Sequence, residues 1–199
     1  MSVRVEVKWD KSAIAALAIG PMKSALKRAL NKAGSTALRD MRSEATKRIR
    51  ERKAIRPKYI ARALTLSKHG GDISDLSWAL NVSGKPIPLI AYPHKAVKGK
   101  LGKRRMGPRS PGGMLVEVNV GKQTLVRGAF VATMRSGHEG IFRRRGTSRL
   151  PIKELLGSRP VDALLHKGEA QGVADRGAQS FAATFERVLP LEIGKAGGG

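Results

Sequence analysis

Residues 129–157 of the chain read AFVATMRSGHEGIFRRRGTSRLPIKELLG, and this stretch decides the interpretation of the fold. Two apolar runs, at 129–134 and 140–142, flank a Ser-Gly-His turn, which is the usual sequence signal of a β-hairpin. The second run ends in three consecutive arginines, and a Gly-Thr-Ser turn follows them. The pattern therefore predicts a hairpin whose second strand ends in a cationic tip, followed by a chain reversal that leads into a helix.

The composition of the whole chain is strongly basic. Its 199 residues include 39 lysines and arginines against 15 aspartates and glutamates, a formal net charge of +24. Such an excess favours polyanionic partners or acidic protein surfaces. The charge alone does not indicate DNA, because ribosomal proteins, nucleoid proteins and the linings of DNA conduits share it.

The start of the chain carries no export or membrane signal. MSVRVEVKWDK lacks the apolar centre of a signal peptide, and no run approaches the roughly 18 apolar residues of a membrane span. The chain also has no cysteine, which excludes disulfides, thiol catalysis and cysteine-based metal sites. We expect a soluble protein that is made in a reducing cytoplasm.

Residues that could carry catalysis or bind a metal are few and badly spaced. His69, His94 and His138 show no metal-ligand spacing. His138 and Glu139 form a lone dipeptide in a turn, and we expect no second carboxylate or nucleophile to accompany it. Residues 143–149 lack the glycine spacing and the lysine of a phosphate-binding loop. We therefore expect no enzyme, no cofactor and no metal site.

Residues 22–53 predict a long N-terminal helix. Apolar residues recur at intervals of three and four, which places them on one stripe of a helix. The stripe consists of Met22, Leu26, Leu30, Ala33, Ala37, Met41, Ala45 and Ile49. Eleven of the other positions are basic, and they form either a solvated face or a surface that faces DNA or an acidic neighbour. Gly34 costs roughly 1 kcal/mol relative to Ala inside a helix, which makes a kink or break there plausible.

Patterns of period two predict several strands. Residues 3–9 alternate apolar and charged side chains, so the odd positions should face a core. Residues 114–120, together with 125–126 and 129–134, are predicted to form one antiparallel sheet through short connections.

The segments between these elements are shorter. Residues 56–64 restart after a proline as a short helix or turn. Residues 76–82 are rich in strand-forming residues, and we assign Trp78 to the core rather than to a base-stacking platform. Prolines 86 and 88 confine residues 87–90 to an edge strand or an extended arm.

Residues 93–113 predict an extended basic loop. They contain seven basic residues, five glycines and no acid, so they cannot bury a core. The candidate contacts with a partner protein or with DNA, in this loop and in the hairpin tip, are Lys95, Lys98, Lys100, Lys103, Arg104, Arg105, Arg109, Arg143, Arg144, Arg145 and Arg149. No aromatic residue lies among the loop cations, so phosphates or acidic side chains are the compatible partners. A merely solvated loop is the alternative.

The C-terminal residues 158–199 predict a helical segment with a frayed glycine tail. Its glycines allow two helices instead of one, and Pro190 is predicted to close it. Phe181 and Phe185, four residues apart, form an anchor either for the chain's own core or for a neighbouring subunit. We expect this segment to belong to the same domain as residues 1–157. The predicted fold is α+β: a long N-terminal helix on a small antiparallel sheet, with a C-terminal helix and an extended basic loop.

Three ordered pieces of the decisive stretch carry a family resemblance. The runs FVATM, SGHEGIFRR and GTSRLPIKEL resemble the signature of the prophage minor tail protein Z family, the tail-completion proteins of long-tailed bacteriophages. They also resemble, more loosely, a hydrophobic–G-T-S-x-x-P pattern of other neck and tail-completion proteins. LNKA at 30–33 and SGKPIPLI at 83–90 extend the match, which ends at about Gly157. The C-terminal helix fits in character.

The resemblance implies a structural virion protein of a phage tail, made in the host bacterial cytoplasm. It implies a tail-completion subunit at the head-proximal end of the tail tube, in the region of the neck and of head–tail joining. The implied partners are the tail tube, tail terminator or neck proteins and other copies of the chain, in a homo-oligomeric ring that is hexameric because the tube is six-fold. Non-specific contact with phage DNA is compatible with this reading, and no membrane is expected. The alternative, argued from charge alone, is a non-specific nucleic-acid-binding protein.

Overall fold

The structure is a computed structural model, and it describes residues 2–7, 22–70, 72–73, 76–98, 100–101, 108–110 and 112–197. Helices and antiparallel strands make an α+β fold, which confirms the predicted fold class. The helices are α1 (Met22–Arg52), α2 (Pro57–Ala63), α3 (Val161–Leu165) and α4 (Glu169–Gly197). The strands are β1 (Val3–Glu6), β2 (Leu64–His69), β3 (Ser77–Val82), β4 (His94–Val97), β5 (Lys100–Leu101), β6 (Pro108–Ser110), β7 (Gly113–Asn119), β8 (Lys122–Arg127), β9 (Ala129–Thr133), β10 (Glu139–Arg144) and β11 (Ile152–Glu154). Within these ranges, no helix is both long and apolar enough to span a membrane.

The chain divides into two compact units. Unit 1 comprises Met1–Arg48, Ala63–Ser83 and Leu164–Gly199, and unit 2 comprises Ile49–Arg62 and Gly84–Ala163. The grouping of residues 1–157 and 158–199 into one domain remains a prediction.

The sheet of unit 1 has three antiparallel strands in the order β1-β3-β2. In β1, Val5 is buried and the charged residues on either side of it are exposed. Val7 is buried as well, so the predicted alternation is confirmed up to this residue, and residues 8 and 9 lie outside the described ranges. Trp78 in the central strand β3 is completely buried, which confirms its assignment to the core.

Helix α1 buries the predicted apolar stripe. Its stripe residues from Leu26 to Ile49 are buried, whereas Met22 at the start of the helix is 42% exposed. The helix continues through Gly34, so the break considered there does not occur. A Cβ added at Gly34 would lie 2.0 Å from Cε2 of Trp78. The glycine therefore allows a close approach of α1 to the sheet instead of interrupting the helix.

Helix α4 runs antiparallel to α1 in unit 1. Arg28 near the start of α1 forms an ion pair with Glu192 near the end of α4, and Arg48 pairs with Glu169 at the start of α4. Two pairs at opposite ends fix both the direction and the register of the helices. The helices α1 and α4 therefore form one antiparallel pair.

The two phenylalanines of α4 belong to the core of unit 1. Phe181 is buried, and its ring centroid lies 5.5 Å from that of Trp78. Phe185 stacks on Phe181 with the ring centroids 6.0 Å apart. Of the two roles that the sequence left open for this anchor, the structure supports the internal one.

The C-terminal segment consists of two helices, which confirms the second of the two predicted alternatives. The break follows α3, where Lys167 and Gly168 adopt positive φ angles of 49° and 76°. Helix α4 then continues through Pro190 to Gly197, so the prediction that Pro190 closes the segment is wrong. Proline removes one backbone N–H and its hydrogen bond, but here the following turn is held by the ion pairs of Glu192.

Unit 2 contains, among the described residues, the antiparallel sheets β4-β7-β8 and β11-β10-β9 and the two-stranded β5-β6. Strands β7 and β8 form a hairpin, with Gly121 at a φ of 76° in its turn. Strand β9 pairs with β10 and not with β8, so the prediction of a single sheet from residues 114–134 is wrong. Gly128 adopts a φ of 70° between β8 and β9, a conformation in which glycine turns the chain easily.

The described part of the basic segment 93–113 is not a loop. Strand β4 pairs with β7 along its whole length, from His94 opposite Val116 to Val97 opposite Gly113. Strand β7 needs this neighbour, because its backbone N–H and C=O groups must find partners on both sides once Met114 and Val116 are buried. The predicted extended basic loop is therefore not observed, and residues 99, 102–107 and 111 lie outside the described ranges.

Residues 87–90 form neither an edge strand nor an extended arm. Leu89–Ala91 is a short 3-10 helix whose side chains are buried, and Ile87 before it is buried too. Pro88 has no N–H to donate, but its carbonyl accepts the Ala91 N–H and closes the turn. The proline thus starts a buried turn, and only the single bridge between Pro88 and Leu156 is strand-like.

We predict that Gly34→Ala destabilises the protein by roughly 1–3 kcal/mol, because the added methyl group overlaps the Trp78 ring. The matched control is Gly194→Ala, which also lies within a helix but has nothing within 4 Å of its added Cβ. The control should stabilise by up to about 1 kcal/mol, since alanine favours helix. Urea unfolding measures both, and equal shifts of the two midpoints would contradict the packing role of Gly34.

Candidate interaction surface

The decisive stretch of the sequence forms a three-stranded sheet. The β9–β10 hairpin is confirmed, with Phe142 opposite Phe130. The following reversal at residues 145–151 leads into strand β11 and not into a helix, so that prediction is wrong. Residues 152–154 pair with β10, and the Leu155 N–H donates a further hydrogen bond to the carbonyl of Ile141. Pairing with the open edge of β10 stabilises this segment more than a short isolated helix would, because such helices are marginally stable in water.

The three consecutive arginines do not form one cluster. Successive residues of a strand point to opposite faces of a sheet, so Arg143 and Arg144 lie on different faces. The guanidinium of Arg144 lies 5.7 Å from the ring centroid of Phe130 in a cation–π arrangement. Arg145 follows the strand, and its N–H donates to the carbonyl of Pro151. Arg143, Arg144, Arg145 and Arg149 are all exposed, as a surface that contacts a partner requires.

Arg143 has a second cation directly opposite it. In the β10–β11 ladder its partner is Lys153, which is also exposed. Neither side chain forms an ion pair with any residue that the structure describes. We call these two residues the Arg143–Lys153 pair. Lys153 is not among the predicted contact residues, although a strand at residues 152–154 antiparallel to β10 would have placed it opposite Arg143.

His138 is accompanied by a carboxylate after all. Its Nε2 lies 2.9 Å from Oε1 of Glu154, and its ring meets the edge of Phe142 with the centroids 6.4 Å apart. The expectation that no second carboxylate accompanies His138 is therefore wrong, because the fold brings β11 beside the β9–β10 turn. This contact joins the start of β10 to β11. In the described part of the chain, no three acids, histidines or cysteines are grouped as metal ligands would be.

The predicted loop cations are divided between described and undescribed residues. Lys95 on β4 and Lys98 just beyond it are exposed. Lys100 belongs to strand β5, and Arg109 belongs to strand β6. Lys103, Arg104 and Arg105 lie outside the described residues.

The charge of the chain is concentrated in unit 2. Residues 49–62 and 84–163 hold 23 lysines and arginines against 5 aspartates and glutamates, a formal charge of +18. The rest of the chain holds 16 against 10, a formal charge of +6. The acids of unit 2 include Glu154 beside His138 and Asp162, which pairs with Arg159. The five acids of unit 2 can therefore neutralise only a minority of its 23 cations.

Unit 1 contains the opposite arrangement, an acid held among cations. Glu192 is 3% exposed, and it accepts hydrogen bonds from Lys32 Nζ at 2.6 Å and Arg28 Nε at 2.8 Å. These bonds lower the pKa of Glu192 to about 2. Nothing in the sequence marks this glutamate, because its partners lie about 160 positions away. Its role is to join α1 to α4.

We predict that Glu192→Gln destabilises the protein at pH 7 and much less at low pH. A folded-state pKa below the ordinary value of 4.5 stabilises the protein above pH 4.5, and this contribution is lost as the pH falls towards 2. Urea unfolding at several pH values measures the difference between wild type and variant. Glu186→Gln, on the exposed side of the same helix, is the control. A difference for Glu192→Gln that stays constant from pH 7 to pH 2 would contradict the ion-pair role.

Comparison with known proteins agrees with the resemblance found in the sequence. The family model for prophage minor tail protein Z (GPZ) matches residues 9–185. The chain belongs to this family. The match extends beyond the decisive stretch and includes the first half of α4. No curated protein and no solved structure matches the chain.

Membership of this family makes the chain a minor tail protein of a bacteriophage, with a structural role. A tail protein is located in the virion and contacts other virion proteins. The matched residues include the β9–β10–β11 sheet with its exposed cations Arg143, Arg144 and Lys153.

Proposed function

We propose that this minor tail protein is a tail-completion subunit at the head-proximal end of the tail tube, where it takes part in joining the tail to the neck. It assembles as a homo-oligomeric ring, hexameric to match the six-fold tube. Its partners are the tail tube, tail terminator or neck proteins. It acts by contact alone, and no bond is made or broken.

One observation carries the proposal: the family match over residues 9–185 includes the exposed cationic sheet of unit 2. A subunit that acts by contact needs a folded scaffold and a charged surface that its own acids do not neutralise. Unit 1 supplies the scaffold, and unit 2 supplies the cationic surface. Phe181 is used inside unit 1, so α4 does not offer its aromatic anchor to a neighbour. The contacts with other virion components are therefore assigned to unit 2.

The two possible partners of the cations are acidic protein surfaces and DNA in the lumen. Both fit a formal charge of +18 on unit 2. The same charge favours the second candidate function, a dedicated non-specific nucleic-acid-binding protein. The two functions differ in one respect: only a tail subunit enters particles and forms discrete rings.

We predict that the triple variant Arg143→Gln, Arg144→Gln, Arg145→Gln folds normally but is not incorporated into tails. All three side chains are exposed, so their removal costs little stability beyond the cation–π contact of Arg144. Complementation of a phage that lacks the wild-type gene, followed by electron microscopy and immunodetection on purified tails, measures incorporation. The variant should yield at least tenfold fewer complete particles.

The matched control removes three exposed cations of unit 1: Lys47→Gln, Lys68→Gln and Arg187→Gln. It has the same net charge as the test variant and should be incorporated like wild type. Normal incorporation of the hairpin variant would show that its three arginines are solvated and do not contact a partner. A chain that binds DNA tightly but never enters particles would favour the nucleic-acid-binding candidate.

A further inference from the structure

The Arg143–Lys153 pair places two like charges directly opposite each other in an antiparallel ladder. Residues directly opposite each other have Cβ atoms about 5 Å apart, and like charges there destabilise a sheet. Glu154, one residue from Lys153, lies on the other face beside His138. Glu139 shares the face of Arg143 but lies at the far end of β10, opposite Thr133. No described acid therefore compensates the pair.

We infer that the Arg143–Lys153 pair binds one phosphate group of a DNA backbone. The inference rests on the proposed function, which brings the subunit beside DNA in the lumen, and it assigns that contact to two residues. An anion held between the side chains removes the repulsion that the free subunit carries. The repulsion between Arg143 and Lys153 lowers the stability of the free subunit, and a bound phosphate gives the reason why the two cations are placed together.

A DNA backbone suits this surface better than an acidic protein does. Arg145 and Arg149, in the turn between β10 and β11, add two exposed cations to those of the pair. A run of cations without intervening acids matches a duplex, which carries one negative charge per roughly 1.7 Å of axis. Guanidinium and ammonium groups are both phosphate ligands, the first bidentate and the second a point charge.

The binding should be independent of sequence. The aromatic residues of this sheet, Phe130 and Phe142, lie on the opposite face together with Arg144. The face of the pair therefore offers no stacking platform for bases, and phosphate contacts alone carry no sequence information.

The inference predicts opposite effects of Lys153→Gln on stability and on DNA binding. Removing one of two opposed cations should raise the urea midpoint of the free protein at low salt, and this gain should disappear at high salt. Affinity for a 20-base-pair duplex of mixed sequence, measured by fluorescence anisotropy, should fall about five- to tenfold at 0.1 M salt. The slope of log K against log salt should decrease by about 0.9, the loss of one phosphate contact.

Three further variants make the test specific. Lys153→Arg keeps the charge and should bind DNA like wild type. Arg143→Gln combined with Lys153→Gln should lose less than the product of the single losses, because both residues hold one phosphate. Lys122→Gln, on β8 opposite Asn119, removes an exposed cation that has no cation across from it. It should leave the urea midpoint unchanged and the DNA affinity within twofold of wild type.

Two outcomes overturn the inference. If Lys153→Gln binds the duplex like wild type, or if Lys122→Gln weakens binding equally, the pair is not a phosphate site. If Lys153→Gln binds DNA normally but is not incorporated into tails, the partner of the pair is an acidic protein, and the proposed function stands without the inference. Conversely, a weakened duplex affinity with normal incorporation supports the inference independently of the assembly test.

Discussion

The packing of unit 1 depends on the contact between Gly34 and Trp78. The indole is fully buried and occupies the space that any side chain at position 34 would need, so α1 can approach β3 only through a glycine. The same ring receives Phe181 from α4. One side chain therefore links the long helix, the central strand and the C-terminal helix.

Electrostatics distinguishes the two units as clearly as packing does. In unit 1, cations meet acids: Glu192 accepts from two basic residues of α1, and Arg48 meets both Glu44 and Glu169. In unit 2, the cations outnumber the acids by 18, and most of those whose side chains the structure describes are exposed. In unit 1, charged residues form ion pairs that join the helices. In unit 2, the excess cations can contact other molecules. This division suits a virion protein that works by contact with its neighbours.

The interaction surface owes its geometry to strand pairing. Arg143, Arg144 and Arg145 are adjacent in sequence, but the pleat of β10 separates the first two onto opposite faces. The register with β11 then brings Lys153 opposite Arg143 from ten positions away. The cationic tip of the sequence thus becomes the Arg143–Lys153 pair on one face and the guanidinium of Arg144 over the Phe130 ring on the other.

The sequence by itself determined the α+β class, the long helix with its buried stripe, the β9–β10 hairpin, the burial of Trp78 and the family. These features follow from local periodicity and from an ordered motif, which need no knowledge of distant residues. Only the tertiary structure decided that β9 leaves the β7–β8 sheet, that residues 152–154 form a strand, that Pro190 lies within a helix and that Glu192 is an ion-pair centre. The two strand assignments depend on which neighbouring strand is the pairing partner, and the ion pairs of Glu192 depend on residues about 160 positions away. Local sequence patterns hold no information about which of these groups the fold brings within bonding distance.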